Sequence, residues 1–111
     1  MSIPDYQSMM LPLLKLFASG KTSVIECLEE LKLEFSMSDE EANELVPSGK
    51  KTYLADRAHW ARTYLGKAGF LKSPKRGHHE LTRSGKKFLE TNPAELNNKI
   101  LYTSHSKTRT L

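Results

Sequence analysis

The residues with the clearest chemical potential are cationic side chains, which cluster in one part of the chain. Residues 48–87 carry eleven lysines and arginines but only two acidic residues, Asp56 and Glu80. Residues 26–45 show the reverse, with eight acidic residues and one lysine. Lysine and arginine bind phosphate groups, and arginine and histidine also donate hydrogen bonds to base edges. If the cations share one surface, the pattern predicts a nucleic acid as the partner.

The candidate contacts fall on one helix, predicted over residues 52–68, and on the hairpin that follows it. One side of that helix is apolar, and the other offers hydrogen-bond donors that suit phosphates and bases. The candidate DNA-binding residues are Lys50, Lys51, His59, Arg62, Thr63, Lys67, Lys72, Lys75, Arg76 and His78. Four to six phosphate contacts from this set would give a log–log salt slope of roughly −4 to −5. The alternative interpretation is a solvated helix face.

Other candidates for chemistry are weaker. His78 and His79 are adjacent, and adjacent strand residues face opposite ways, so no metal site is expected. The segment 20–22 resembles the end of a phosphate-binding loop, but the glycine that opens that motif is missing and a helix precedes it. Glu30 and Lys32 have the spacing of a nuclease acid–lysine pair, yet they lie within a predicted helix. We therefore expect no catalytic residues and no cofactor.

Length and composition bound the class of protein. The 111 residues, with 38% hydrophobic and 27% charged residues, are typical of one globular domain. The longest apolar run, residues 9–14, is too short to cross a bilayer, and the N-terminus has no signal-peptide pattern. The lone Cys27 excludes an intramolecular disulfide and a cysteine-based zinc finger. We expect a soluble, cytoplasmic protein without a membrane partner.

Three helices are predicted ahead of the basic region. Asp5 is a typical N-cap for the first helix, which Pro12 should kink or restart. The second and third open with capping boxes, in which a serine is followed three residues later by a glutamate. The predicted helices end near Ser19, Phe35 and Leu45.

The basic region predicts a longer helix, a hairpin and a last helix. Gly69 is the expected C-terminal cap of the helix over residues 52–68. Its apolar stripe consists of Leu54, Ala58, Ala61, Leu65 and Ala68. Short strands are predicted at residues 70–72 and 78–81, and Thr82 should cap a helix from Arg83 to about Glu90. This order predicts a mainly α, α+β winged helix-turn-helix, with recognition helix 52–68 in the major groove and basic wing 72–78 on the backbone.

Two residues of the longer helix are assigned structural roles. Arg57 lies beside the apolar stripe, so we expect it to pair with an acidic residue of the second helix. Trp60 lies at the edge of the stripe and is interpreted as a packing anchor. A wedge for an extruded base is the alternative for Trp60.

Three segments of the chain resemble a known family. They read IPDYQSMMLPLLKLFASG, PSGKKTYLADRAHWARTYLGKAGFL and SPKRGHHELTRSGKKFLETNP, and they lie within residues 3–93. The most specific part is Arg57, Trp60 and Ala61 followed by Leu65 and Ala68-Gly69. Together these segments resemble the amino-terminal winged-helix domain of Mrr-type (type IV) restriction endonucleases.

The resemblance implies a DNA-binding domain over residues 1–93 and a C-terminal tail or linker over residues 94–111. In that family the domain precedes a PD-(D/E)xK nuclease domain that cuts modified, typically methylated, DNA. The implied partners are therefore double-stranded DNA, methylated or not, and a nuclease domain in the parent protein or system. Catalysis is not implied for this chain, and an excised domain and a stand-alone relative both stay open.

Several functions remain compatible with the sequence. The first is the DNA-binding module of an Mrr-like restriction system, and the second is a winged-helix transcriptional regulator, for which a homodimer would be typical. The third is a protein-interaction winged helix whose basic face binds an acidic partner. The acidic segment 26–44 either keeps DNA off one side, docks a basic partner or is a solvated face.

Overall fold

The computed structural model describes residues 3–101. Helices and strands follow in the order α1 (Tyr6–Ala18), α2 (Val24–Glu34), α3 (Asp39–Ala42), α4 (Tyr53–Lys67), β1 (Leu71–Lys75), β2 (His78–Leu81) and α5 (Arg83–Glu90). Residues 98–101 are again helical. A helix-rich chain with a hairpin between α4 and α5 confirms the predicted α+β fold class. None of the helices in this part of the chain is long and apolar enough to cross a bilayer.

α1, α2, α3 and α5 begin at their predicted N-caps, and α4 is capped by Thr52, the residue at which the sequence predicted its start. The side chains that accept a hydrogen bond from the first turn are those of Asp5, Ser23, Ser38, Thr52 and Thr82. At Ser23 and Ser38 the glutamate three residues on also accepts from the N–H of the cap, so both capping boxes close. These bonds satisfy backbone donors that have no partner inside the helix.

Two helix boundaries differ from the prediction. α1 passes through Pro12 as one continuous helix, so the restart predicted as one alternative is wrong. α3 ends at Ala42 instead of near Leu45, because the chain after it turns back onto the start of α4. Leu45 pairs with Thr52 in an isolated antiparallel bridge.

The wing, which we define as residues 71–81, is an antiparallel hairpin of β1 and β2. β1 extends to Lys75, whereas the sequence predicted its end at Lys72, and the register shifts between these two residues. Pro74 lies within this irregular part, where the missing N–H is tolerated. The turn therefore shrinks to Arg76-Gly77, and Gly77 adopts φ +78°, which glycine allows without strain.

The core lies chiefly between α1 and α4, with α2 and β2 packed beside them. The stripe predicted on α4 is buried at Leu54, Ala58, Ala61 and Leu65. The fully buried large side chains of α1 are Met9, Met10, Leu13 and Leu14. The small side chains of Ala58 and Ala61 let α1 pack closely along one side of α4. The other side of α4 faces away from α1.

Arg57 ties the N-terminal segment to α4. Its Nη1 donates to the carbonyl oxygens of Ile3 at 3.0 Å and Pro4 at 3.3 Å, and its guanidinium lies 5.0 Å from the centre of the Tyr53 ring. The predicted structural role is therefore confirmed. The predicted partner is wrong, because main-chain carbonyls take the place of an acidic residue of α2.

Residues 94–101 pack on the core although the sequence assigned them to the tail. Leu96 and Leu101 are buried. Asn98 donates through its backbone N–H to Gln7 Oε1 at 3.0 Å and through Nδ2 to the hydroxyl of Tyr6 at 2.6 Å. This segment thus contributes to the domain, while the division after residue 93 stays a prediction. Residues 102–111 of the predicted tail lie outside the described residues.

Candidate nucleic-acid interface

A cleft of about 400 Å³ opens where the start of α2, the middle of α4 and the wing meet. We call it the basic cleft. Its lining residues are Ser23, Val24, Ile25, His59, Arg62, Ser73, Arg76, Gly77 and His79. Two arginines and two histidines contribute to this lining and no acidic residue does. The cleft therefore suits an anion.

Arg62 is the cation that α4 contributes to the basic cleft. Its Nε is fully buried and has no hydrogen-bond partner within residues 3–101, although the residue as a whole is partly exposed. Arg62 takes no part in the ion pairs Lys32–Asp39, Lys51–Asp56 and Lys72–Glu80 of that part of the chain. A buried donor without a partner costs about 1–3 kcal/mol, and more on a charged group. The rest of the Arg62 guanidinium lines the cleft, where a ligand can meet it.

Two histidines lie beside Arg62. Burial, and then the charge of Arg62, lower the pKa of His59 and of His79 below the usual 6.5. Weaker influences on the pKa of His59 come from Lys51 and Asp56, and weaker influences on the pKa of His79 come from His59 and His78. Both rings are therefore neutral at pH 7, and the positive charge of the cleft comes from the arginines.

His79 also joins the wing to the other elements. Its backbone N–H donates to the carbonyl of Thr22 at 2.7 Å, directly before the start of α2. Its ring meets the ring of Phe17 edge-on, with 5.8 Å between centres. These contacts keep the wing against α2, so the walls of the basic cleft are held in place by the fold.

A comparison with known families shows to which family the chain belongs. The family model described as the Mrr N-terminal domain matches residues 6–91. The chain belongs to this family. The match runs from α1 through α5 and therefore includes all the residues that line the basic cleft. Neither a curated protein nor a solved structure matches the chain.

In this Mrr N-terminal domain, the predicted lysines before α4 and on β1 lie outside the basic cleft. Lys50 and Lys51 are exposed, and Lys51 Nζ lies 2.7 Å from Asp56 Oδ1. Lys72 Nζ lies 3.7 Å from Glu80 Oε1 across the hairpin. Because such exposed pairs contribute little to stability, both lysines can exchange their carboxylate for a phosphate at low cost.

Thr63 and Lys67 lie along α4 without lining the basic cleft. The Thr63 hydroxyl donates to the carbonyl of His59 at 2.9 Å, which leaves its oxygen lone pairs for a donor. Lys67 is exposed, and its Nζ lies 5.5 Å from the centre of the Tyr64 ring. These two side chains remain on the solvent side of the helix, as the sequence predicted.

The remaining candidates lie at the end of the wing. Lys75 and Arg76 are exposed, and His78 Nδ1 lies 3.4 Å from the carbonyl oxygen of Arg76. Lys75 and His78 line a separate cavity of about 210 Å³. Of the ten candidates, the structure therefore brings His59, Arg62 and Arg76 into one cleft, and it places the others around it or along α4.

Sequence reasoning missed His79 and the start of α2 as parts of this site. The alternation along β2 did place His78 and His79 on opposite faces, and the structure confirms it, because only His79 is buried. A histidine that faces inward from a basic wing, as His79 does, could have been predicted to be part of the site. The start of α2 gave no such signal, because only the tertiary fold brings it to the wing.

Within residues 3–101 no group of three or more metal-ligating side chains is arranged to hold a metal ion.

Trp60 differs from its predicted role. Half of its surface (50%) is exposed, and its ring is tilted against Tyr64 with 6.3 Å between centres. Trp60 is therefore only half-buried, and its packing is limited compared with the predicted anchor.

Proposed function

We propose that the chain is a double-stranded DNA-binding module of an Mrr-like restriction system and has no catalytic activity of its own. The observation that carries this proposal is the basic cleft, an uncompensated cationic site between α4 and the wing. Membership of the Mrr N-terminal domain family supports the restriction system as its context. The neighbouring exposed cations extend the positive surface beyond the cleft.

The docking geometry follows from the positions of α4 and the wing. The solvent side of α4 carries Thr63 and Lys67 and enters the major groove, where side chains meet base edges. The end of the wing carries Lys75 and Arg76, and it lies on the neighbouring backbone. The acidic residues of α2 and α3 repel DNA, so they disfavour approach from that side.

The direct test is a titration of fluorescently labelled duplex DNA with the purified chain, in matched methylated and unmethylated forms. We expect binding at about 50 mM salt that weakens steeply toward 200 mM, with a log–log slope of roughly −4 to −5. Lys67→Ala and Lys75→Ala should each weaken binding. Absence of duplex binding by the folded wild-type chain at low salt would refute the proposal and favour a protein partner instead.

Lys15→Ala is the matched control for these two variants. Lys15 is an exposed lysine of α1 that lines a different groove, between α1 and residues 94–97. Its replacement removes the same charge at a site that is neither part of the wing nor of the basic cleft. An equal loss of affinity in this control would show that net charge alone, and not the proposed surface, governs binding.

A further inference from the structure

We propose that the basic cleft binds one backbone phosphate of the duplex, and that Arg62 anchors this phosphate instead of reading a base. The inference rests on the proposed function, since it names the chemical group of the DNA that the cleft takes. It also assigns Arg62 a different role from Thr63 and Lys67, although the helical periodicity of α4 places all three on the same side. This difference in role arises from the neighbouring elements, the start of α2 and the wing.

The surroundings of Arg62 decide its role. On an isolated α4 this side chain would point into solvent, but the start of α2 and the wing enclose it in the folded domain. Solvent does not reach its Nε. Nε is therefore closed to a ligand as well, and a group that enters the cleft meets the rest of the Arg62 guanidinium.

A phosphodiester is such a group. Its two free oxygens match the planar donor array of a guanidinium, which binds phosphate through two parallel hydrogen bonds. Arg76 lines the opposite wall and supplies a second guanidinium. Val24 and Ile25 also line the cleft, and their N–H groups, in the first turn of α2, have no partner inside the helix.

The electrostatics of the cleft select an anion over a neutral group. Arg62 has no carboxylate partner within residues 3–101. The nearby Glu26 carboxylate is engaged, because it accepts hydrogen bonds from the N–H groups of Thr22 at 2.8 Å and Ser23 at 3.1 Å. Its oxygens are therefore directed at those amides and not paired with Arg62, and a backbone phosphate can take the place of a carboxylate partner in the cleft.

The inference has a consequence for specificity. A phosphate contact fixes the register of the protein on the duplex but carries no sequence information. Arg62→Gln should therefore weaken binding about tenfold for every duplex, by the same factor for methylated and unmethylated forms. It should also make the log–log salt slope shallower by about 1. Arg62→Lys keeps the charge but lacks the planar donor array of the guanidinium, so it should keep the slope and still lose affinity.

The site can be observed directly by nuclear magnetic resonance on the wild-type chain. The Arg62 Nε–H signal is assigned by its disappearance in Arg62→Lys. One arm titrates a 12-base-pair duplex, and the other titrates inorganic phosphate alone. We expect the duplex to shift this signal together with the amide signals of Val24 and Ile25. Saturation by phosphate at low concentration, with no displacement by duplex, would overturn the DNA assignment.

The remaining outcomes separate this inference from the proposed function. If the duplex binds but the Arg62 Nε–H signal does not move, the inference fails while the proposed function stands. The same holds if Arg62→Gln changes the ratio of affinities between duplexes. If the wild-type chain binds no duplex, both fail together. Lys15→Gln serves as the charge-matched control and should leave the affinity and the Nε–H signal unchanged.

Discussion

Gly85 lies at a close approach of α5 to Phe70 and to the wing. A Cβ atom built on this residue would lie 2.5 Å from the carbonyl oxygen of Phe70 and 2.8 Å from Cδ1 of Leu81. The backbone N–H of Gly85 donates to the capping hydroxyl of Thr82 at 3.1 Å. Because a main-chain oxygen cannot rotate aside, a methyl group at this position must push α5 away from the wing.

The two effects of Gly85→Ala have opposite signs. Alanine in a helix interior is normally more stable than glycine by about 0.5–1 kcal/mol. Overpacking of a close contact costs about 1–3 kcal/mol. The net expectation is a loss of about 1–2 kcal/mol in the free energy of unfolding. Gly66→Ala is the matched control, since Gly66 is exposed in α4 with nothing within 4 Å of an added Cβ, so only the gain of about 0.5–1 kcal/mol remains.

Urea unfolding followed by circular dichroism measures both variants. For a domain of this size, 1 kcal/mol corresponds to a shift of roughly 4–8 °C in Tm, so thermal melts give a second readout. Gly85→Ala should melt below and Gly66→Ala above the wild type. If Gly85→Ala is as stable as Gly66→Ala, the close approach of α5 to Phe70 and Leu81 does not exist in solution.

Further predictions concern pH and Arg57. The free protein should lose stability as pH falls below about 6.5, because the pKa values of His59 and His79 are lowered in the folded state. The unfolded chain then binds more protons than the folded one. A free energy of unfolding in urea that stays constant between about pH 5.5 and 7.5 would contradict this. Duplex affinity should change in the opposite direction and increase as pH falls, because a phosphate in the basic cleft favours both protonated rings; anisotropy at constant ionic strength checks the sign. Arg57→Met should cost about 1–2 kcal/mol of stability through the lost carbonyl bonds with unchanged duplex affinity, and a fall in affinity would instead place Arg57 against DNA.

The helix starts were predictable from the sequence because capping depends on residues within one turn. Ser23 with Glu26 is such a pair, and its geometry does not depend on the rest of the fold. The ends of elements were less predictable, since distant contacts decide them. α3 stops early because Leu45 pairs with Thr52. No sequence pattern within α3 predicts that pairing.

The candidate site was predictable only as a set of cations on α4 and the wing. The periodicity of α4 places Arg62 with the exposed residues, whereas its enclosure comes from the wing and the start of α2. The packing of residues 94–101 was missed for a similar reason. Leu96 and Leu101 are too few to form a periodic pattern, and their burial depends on the surface that α1 offers them.

The contacts of Asn98 connect the C-terminal segment to α4. Asn98 donates to the Tyr6 hydroxyl, and the Tyr6 ring stacks on Tyr64 with 5.0 Å between centres. The Tyr6–Tyr64 ring pair and the Asn98 amide therefore form one continuous path of contacts between α4 and residues 94–101. A chain that ends at Pro93 would keep the whole family match. It would nevertheless lose this path of contacts and the two buried side chains of Leu96 and Leu101.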